Sequence, residues 1–239
     1  MFKPLAGLYE ALEGIEAQGR VAAFDADGTL WATDVSDDLL DWIDERRLIE
    51  PPDGAAGCRA HADALCAKDR PTGYRYATAA TEGRELSEVL AWSEASWTAR
   101  GAARAHPELL ALVRWLRARG ARVVIVSASP IWAVLPGARA FGFEDRDVFA
   151  MDVEREGGRL TGRVLEPTTA GQGKVERLRT ELGHSELLLG AGNTVDDLPM
   201  IRCGQLGLLV DPAAPHGSAK GLPDLNEVAQ REGFWVYRS

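Results

Sequence analysis

The chain has 239 residues, of which 46% are hydrophobic and 26% charged, and its formal net charge is −9. This composition is ordinary for a globular protein, and the length allows a sizeable core with room for a second, smaller domain. The acidic balance and the lack of a long basic run argue against a nucleic-acid partner. No apolar stretch approaches the roughly 20 residues that span a bilayer, so we expect no membrane partner.

The N-terminal segment and the cysteines indicate the compartment. Glu10, Glu13 and Glu16 interrupt any apolar region near the N-terminus, so we expect no signal peptide. The cysteines form neither an even set nor a metal-binding spacing: Cys58, Cys66 and Cys203. We therefore expect reduced thiols in a cytoplasmic protein.

The first predicted elements are a helix and a strand. The helix ends near Gly19, and four apolar side chains share one of its faces: Leu5, Leu8, Leu12 and Ile15. The apolar run at residues 21–24 then predicts a buried strand.

Residues 34–104 form an insert without a strand pattern. Three segments within it look helical: 38–48, 55–67 and 78–98. We expect an all-helical cap domain over residues 34–104, placed over the carboxyl end of the sheet, where the sites of α/β proteins lie. Residues 1–33 and 105–239 would form the core domain.

Beyond the insert, strands and helices alternate. Pro107 is expected to open a helix that ends at Gly120, and a second helix at 174–182 ends at Gly183. A hairpin is predicted from a strand near 148–153 and a strand at 159–165. Further strands are predicted at three places: 123–126, 187–189 and 206–210. The alternation predicts an α/β fold with a doubly wound, mostly parallel sheet.

The first predicted strand leads into the motif Asp25-Ala26-Asp27-Gly28-Thr29. One of its two carboxylates could attack an electrophile while the other handles a proton, and a divalent cation would bind beside them. The alternative is a polar turn that closes the strand, with Asp27-Gly28 selected for its backbone conformation.

The second motif is Ser127-Ala128-Ser129-Pro130, after the strand predicted at 123–126. Pro130 suits the first turn of a helix, so we expect Ser129 to be the N-cap. A serine hydroxyl, free N–H groups and the positive end of the helix dipole also favour an anion at this place.

The third motif is Lys174, which follows Gly171-Gln172-Gly173 without forming a P-loop. Thr168 stands where that motif has its first glycine, and Val175 stands where it has Ser or Thr. Taken alone, Lys174 is best interpreted as an exposed lysine on a first helical turn. Within a site, it would supply a cation.

The fourth motif, at residues 192–200, follows the strand predicted at 187–189. Asp196 or Asp197 could cap the helix that contains Met200. The other interpretation is an acidic metal cradle that faces the first motif.

Together, these four motifs at strand ends resemble those of the haloacid dehalogenase-like (HAD) phosphatases, in the phosphoserine-phosphatase-like branch. The resemblance covers nearly the whole chain, including a helical insert after the first motif, which that branch uses as its cap. It implies a Mg²⁺-dependent phosphomonoester hydrolase that works through an aspartyl-phosphate.

The resemblance also implies catalytic roles. Asp25 would be the nucleophile, and Asp27 would protonate the leaving oxygen and later activate water. Ser127 would hydrogen-bond a phosphoryl oxygen within the substrate-binding motif Ser127-Ala128-Ser129, and Lys174 would balance charge. Asp27 favours a phosphatase over a dehalogenase, because the dehalogenase branch lacks this carboxylate and a phosphate ester needs a proton donor.

By the same resemblance, Mg²⁺ would bind the Asp25 carboxylate, the Asp27 backbone carbonyl and the last motif through Asn193 and Asp197. The family's last motif usually begins Gly-Asp, whereas this chain has Gly192-Asn193. A neutral carbonyl oxygen thus replaces a charged one, so we expect weak Mg²⁺ affinity with retained turnover.

The insert offers two indications of the substrate. In phosphoserine phosphatases an acidic cap residue meets the substrate amine, and Asp34 lies at about that offset, although helix N-capping is the favoured alternative. Five tryptophans lie in or near the insert or the second motif: Trp31, Trp42, Trp92, Trp97 and Trp132. One interpretation is an aromatic box for a quaternary ammonium group, and the other is that these rings fill the core of the cap.

The expected substrate is therefore a small phosphorylated metabolite such as phosphoserine or choline phosphate, and the protein is expected to be a monomer or a homodimer. Two other functions are compatible with the sequence. One is a phosphate-binding HAD-like protein impaired in catalysis, which only Asn193 favours. The other is a phosphotransferase with an acceptor other than water.

Overall fold

The computed structural model describes residues 5–211 and 222–239. Its strands are Val21–Phe24 (β1), Arg122–Pro130 (β2), Val148–Met151 (β3), Val153–Glu156 (β4), Arg159–Val164 (β5), Leu187–Gly192 (β6), Gly204–Val210 (β7) and Trp235–Tyr237 (β8). Six strands form one sheet in the order β3-β2-β1-β6-β7-β8, and β4 and β5 form a separate two-stranded sheet.

The sheet is mostly parallel. Each neighbouring pair from β2 through β1, β6 and β7 to β8 is parallel. Every residue of β1 and of β6 is buried, as expected for central parallel strands that are covered on both faces. The predicted α/β class with a mostly parallel sheet is confirmed.

The helices are Leu5–Glu13 (α1), Val35–Arg46 (α2), Cys58–Lys68 (α3), Arg70–Ala79 (α4), Leu86–Ser96 (α5), Pro107–Ala118 (α6), Ile131–Ala140 (α7), Gln172–Leu182 (α8), Leu198–Arg202 (α9) and Leu225–Glu232 (α10). The segment predicted to be helical at 78–98 is only partly so, because it begins at the end of α4 and α5 starts only at Leu86. Gly83, at positive φ, lies in the connection between them. Among the described residues, no helix is long and apolar enough to cross a membrane.

A hairpin forms as predicted, but its first arm differs from the strand predicted near 148–153. Val148–Met151 (β3) belongs to the six-stranded sheet, and β4 is the arm that pairs antiparallel with β5 on the other side of Gly157 and Gly158. The second motif differs from its prediction, because β2 continues through Pro130 and α7 begins at Ile131. The prediction that Ser129 is an N-cap is therefore wrong. Pro130 occupies that position and offers no side-chain cap. The polar residues 127–129 are extended, as part of β2.

The C-terminal elements α10 and β8 were not predicted. Asp224 caps α10 by accepting a hydrogen bond from the Asn226 N–H, and Gly233 in the left-handed region ends the helix. β8 has only three residues, too few for a periodic pattern, and it pairs with β7 at the edge of the sheet.

The chain divides into two compact units. Of the described residues, the first contains 5–31, 106–126, 170–211 and 222–239, and the second contains 32–105 and 127–169. The division passes through β2, between Val126 and Ser127. The cap boundaries expected from the sequence, 34–104, stay a prediction.

Candidate active site

The site is built where β1 ends between its two neighbours. Phe24 is in register with Ile125 of β2 and with Ala191 of β6. The next residue, Asp25, donates its backbone N–H to the Ala191 carbonyl at 2.8 Å. The buried sheet thus holds the Asp25 backbone at the carboxyl end of three parallel strands, as the strand-end argument predicts.

Lys174 is the charge centre of this site. It lies on the first turn of α8 and is 1% exposed. Its Nζ donates to Asp25 Oδ1 and to Asp197 Oδ1, each at 2.6 Å. A third hydrogen bond of 2.7 Å goes to the Val126 carbonyl. The interpretation as an exposed lysine is wrong, and the three donors of the ammonium are matched by three acceptors of the protein.

Burial and charge set the protonation behaviour of this cluster. Burial, with a further contribution from the Asp197 charge, raises the pKa of Asp25 to about 7, although Lys174 acts in the opposite direction. Burial alone would lower the pKa of Lys174, but the charges of Asp197 and Asp25 outweigh it and the pKa lies above its usual value. Lys174 is therefore a fixed cation at neutral pH, whereas the charge of Asp25 depends on what else binds beside it.

Asp197 organises the loop after β6. Its Oδ2 accepts hydrogen bonds from the backbone N–H groups of Asn193 and Thr194, at 3.1 and 2.8 Å, and from the Thr194 hydroxyl at 2.9 Å. Thr194 caps the short turn Val195–Asp197 in a capping box with Asp197. The carboxylate thus fixes both the loop and Lys174. A metal bound to Asp197 would have to share an oxygen that is already in use, and this ligand stays a proposal.

Asn193 presents an oxygen that suits a cation. Its Oδ1 is buried and accepts no hydrogen bond from any described residue, and leaving such an atom without a partner costs free energy. The amide lies so close to Gly28 that a Cβ there would overlap it, and Gly28 also has a φ of 72°. The first and fourth motifs therefore meet, as predicted.

The donors of this site fit a hard cation. Within the described residues, no cluster of three His, Cys, Asp or Glu side chains could hold a metal. The expected set, however, mixes the Asp25 carboxylate with an amide oxygen of Asn193 and a backbone carbonyl. Oxygen donors of this mixed kind, completed by water, are those that Mg²⁺ takes.

Two contacts on the carboxylates of the first motif were not foreseen. The Thr29 hydroxyl donates to Asp25 Oδ2 at 3.1 Å. The indole N–H of Trp31 donates to Asp27 Oδ1 at 2.7 Å. Both donors lie four residues after their acceptors. A side chain with a hydrogen-bond donor at that spacing is the sequence signal from which these contacts could have been predicted.

The predicted phosphate-binding serine lies in the second unit. The Ser127 hydroxyl accepts the Ser129 N–H at 3.1 Å, so that N–H is not free for an anion, contrary to expectation. Because the Ser127 oxygen accepts there, its own hydrogen can be donated elsewhere. The Thr169 hydroxyl donates to the Ser127 carbonyl and fixes this end of β2. Ala128 lies between the two serines within the strand.

Asp34 is the N-cap of α2. Its Oδ1 accepts the N–H groups of Ser36 and Asp37, both at 3.0 Å, and Asp37 and Asp38 form an acidic first turn. The capping interpretation is confirmed, and contact with a substrate amine stays a proposal.

The tryptophans make individual packing contacts. Trp132 is fully buried, and the ring of Trp97 packs edge-on against Phe141. The Arg46 guanidinium lies 3.1 Å from the centre of the Trp42 ring and occupies the face that a ligand cation would use. These contacts favour packing over a binding box.

Comparison with known proteins gives a family and a fold. The family model for haloacid dehalogenase-like hydrolases matches residues 22–202. That range contains all four motifs. No curated protein matches the chain.

Three solved structures have a similar fold. A protein of unknown function from Bordetella pertussis Tohama I is 23% identical, with a TM-score of 0.72, covering 91% of this chain and 98% of its own. A HAD family hydrolase from Salmonella enterica serovar Typhi is 18% identical, with a TM-score of 0.59, covering 84% and 65%. A phospho-aspartyl intermediate analogue of phosphoserine phosphatase is 17% identical, with a TM-score of 0.55, covering 90% and 99%.

Proposed function

Because the chain belongs to the haloacid dehalogenase-like hydrolases, we propose that it hydrolyses a small phosphomonoester through a phosphorylated Asp25. The observation that carries this proposal is the buried Lys174 ammonium, which contacts Asp25 at 2.6 Å. It lies beside a motif whose second carboxylate, Asp27, is held by a hydrogen bond. These contacts support the roles proposed here: Asp25 as a nucleophile with a fixed counter-charge, and Asp27 as a separate acid–base group.

In the first step, an oxygen of the ionised Asp25 carboxylate attacks phosphorus and forms a P–O bond. The bond from phosphorus to the leaving oxygen breaks, and Asp27 gives that oxygen a proton. Lys174 uses its three donors on protein acceptors, so it stabilises the charge of the carboxylates and holds them in place. Ser127 would donate its hydroxyl hydrogen to a phosphoryl oxygen.

In the second step, water attacks the phosphorus of the aspartyl-phosphate. Asp27, now ionised, takes a proton from that water, and the bond from phosphorus to the Asp25 oxygen breaks. Inorganic phosphate leaves, and both carboxyl groups return to their starting protonation states. The solved phospho-aspartyl analogue of phosphoserine phosphatase, which has a similar fold, supports this route by analogy.

The residues that would hold Mg²⁺ are the Asp25 carboxylate, the Asp27 carbonyl and Asn193 Oδ1, with Asp197 as a further candidate. When bound, the ion supplies positive charge next to the nucleophile and the phosphoryl oxygens. Asn193 gives this set one negative charge fewer than an aspartate would, and this is the basis for proposing weak Mg²⁺ affinity.

The proposed substrate class is a small phosphomonoester, with phosphoserine and choline phosphate as first candidates. Asp34 supports an amine-bearing substrate, although its carboxylate already caps α2. A cytoplasmic location is part of the same proposal, supported by the odd number of cysteines.

A chromogenic phosphate ester assayed with and without Mg²⁺ tests the proposal. We expect Mg²⁺-dependent release of the alcohol and an equal amount of free phosphate. Phosphate binding without turnover would indicate a catalytically impaired binding protein, the function that Asn193 alone favours. Less free phosphate than alcohol would indicate transfer to an acceptor other than water.

A further inference from the structure

Trp31 closes the turn that follows β1. The Trp31 indole Nε1 donates to Asp27 Oδ1 at 2.7 Å, and the neighbouring Gly28 N–H donates to the Trp31 carbonyl at 2.8 Å. Asp27 and Trp31 also form an isolated parallel bridge. The turn after β1 therefore closes on itself, with the indole at a fixed place relative to the carboxyl group.

The indole is in turn held by the core. Trp31 is 0% exposed, whereas Asp27 is only partly buried. A buried indole has little rotational freedom, so the donor is held in a fixed position. The hydrogen bond therefore restrains rotation of the Asp27 carboxyl group.

This contact makes the two carboxyl oxygens of Asp27 chemically different. An indole N–H is a donor only and has no acceptor function, so Oδ1 faces a donor in both protonation states of the carboxyl group. A proton on Asp27 is accordingly favoured on Oδ2. Oδ2 is then the atom that gives the proton to the leaving oxygen and later takes one from water.

We propose that Trp31 is a positioning residue for the acid–base step, and that it directs the transferable proton of Asp27 to Oδ2. This inference rests on the proposed function, since it assigns a role within that reaction. Groups that transfer a proton must be held within a narrow range of distance and angle, and small misplacements are costly in rate.

A purely structural role makes a different prediction. A buried indole needs an acceptor for its N–H, and Asp27 would supply it whatever reaction takes place. Loss of the indole would then slow all substrates equally. A role in proton transfer makes the loss depend on how much the leaving group needs a proton.

The test is kcat/KM of the Mg²⁺-loaded enzyme on phenyl, 4-nitrophenyl and 2,4-dinitrophenyl phosphate. Trp31→Phe keeps an aromatic ring and removes the N–H. We expect a loss of about 10-fold or more on phenyl phosphate, whose leaving group needs the proton, shrinking to about 2-fold on the dinitrophenyl ester.

Trp132→Phe is the matched control. Trp132 is also 0% exposed, and its indole N–H has no hydrogen-bond partner within residues 5–211 and 222–239. This variant removes an equal part of a buried indole without removing such a bond. It should keep the leaving-group dependence of the wild type.

A uniform loss across the three esters, or no loss, would overturn the role of Trp31 while leaving the proposed function intact. If the wild type turns over none of the esters, the proposed function fails and the role of Trp31 fails with it. The two failures are therefore distinguishable.

A second measurement does not need Trp31→Phe to fold. In the protein labelled with ¹⁵N-tryptophan, Asp27→Asn should shift the Trp31 signal most strongly among the seven indole N–H signals, because the Trp31 N–H loses a charged acceptor. Unchanged positions for all seven signals would contradict the contact on which the inference depends.

Discussion

Asn193 is the proposed metal ligand at which this chain departs from the family's usual aspartate. Its buried amide oxygen, which has no hydrogen-bond partner among the described residues, can accept a cation but contributes no charge. This departure in the motif is the basis on which the sequence alone predicts weak Mg²⁺ affinity. The sequence could not show that the oxygen lacks such a partner or that Asp197 accepts the Asn193 N–H.

Asn193→Asp should strengthen Mg²⁺ binding by about 10-fold or more, because it adds a charge next to the ion. Isothermal titration calorimetry measures the dissociation constant directly. Asn226→Asp, on α10, is the matched control for net charge and should change the constant little. Wild-type saturation in the low micromolar range, or equal affinities for wild type and Asn193→Asp, would contradict the account.

Lys174 links elements that are distant in sequence. One ammonium on α8 contacts the residue after β1, a carbonyl of β2 and the loop after β6. Order along the chain predicted that these motifs meet at one edge of the sheet. Lys174 is buried because of the way α8 packs in the fold. The residues next to Lys174 in the sequence do not determine that packing, so the sequence could not predict the burial.

Lys174→Met should lower the free energy of unfolding of the Mg²⁺-free protein by roughly 3–5 kcal/mol, because it leaves two buried carboxylates without a counter-charge. Denaturation with urea measures this change. Glu181→Gln is the control on the same helix, since it removes the charge with which the exposed Glu181 pairs with Arg177, and it should cost about 1 kcal/mol or less. Equal, small effects of both changes would contradict the bridging role.

A bidentate ion pair between Arg202 and Glu232 joins α9 and α10. Arg202 Nε and Nη2 donate to the two carboxylate oxygens of Glu232, each at 2.8 Å. Hydrogen bonding to Arg202 lowers the pKa of Glu232 from the ordinary value of 4.5 to about 2. The folded state thus favours the ionised form. The resulting stabilisation is complete above pH 4.5 and is lost as the pH falls towards 2.

Glu232→Gln should therefore lower the urea midpoint at pH 7, and the difference from the wild type should shrink as the pH is reduced from 5 to 3. Urea titrations at several pH values measure it. A difference that stays constant or grows at low pH would show that the pair does not act through the charge of Glu232.

For the whole molecule, the fold class could be predicted because buried parallel strands are apolar runs and their helices carry capping glycines and prolines. The short edge strand β8 could not, because it owes its conformation to β7. The continuation of β2 through Pro130 also could not be predicted, because the sequence of residues 127–130 is typical of a turn and a helix start, and local propensity for a strand depends on context.

The candidate residues are divided between the two compact units. Asp25, Asp27, Lys174, Asn193 and Asp197 belong to the first, and Asp34 and residues 127–129 belong to the second. The sequence predicted the chemistry of the first group from residue type and spacing. The hydrogen bonds that fix these side chains, above all those from Thr29 and Trp31, could be identified only in the folded structure.

The central claim is that phosphate is transferred through Asp25. The most direct test is phosphate release from phosphoserine, choline phosphate and 4-nitrophenyl phosphate in Mg²⁺ by the wild type and Asp25→Asn, with the exposed Asp53→Asn as control. We predict that Asp25→Asn folds but loses at least about 10³-fold in rate, while Asp53→Asn matches the wild type. Substantial hydrolysis by pure, folded Asp25→Asn would contradict the account.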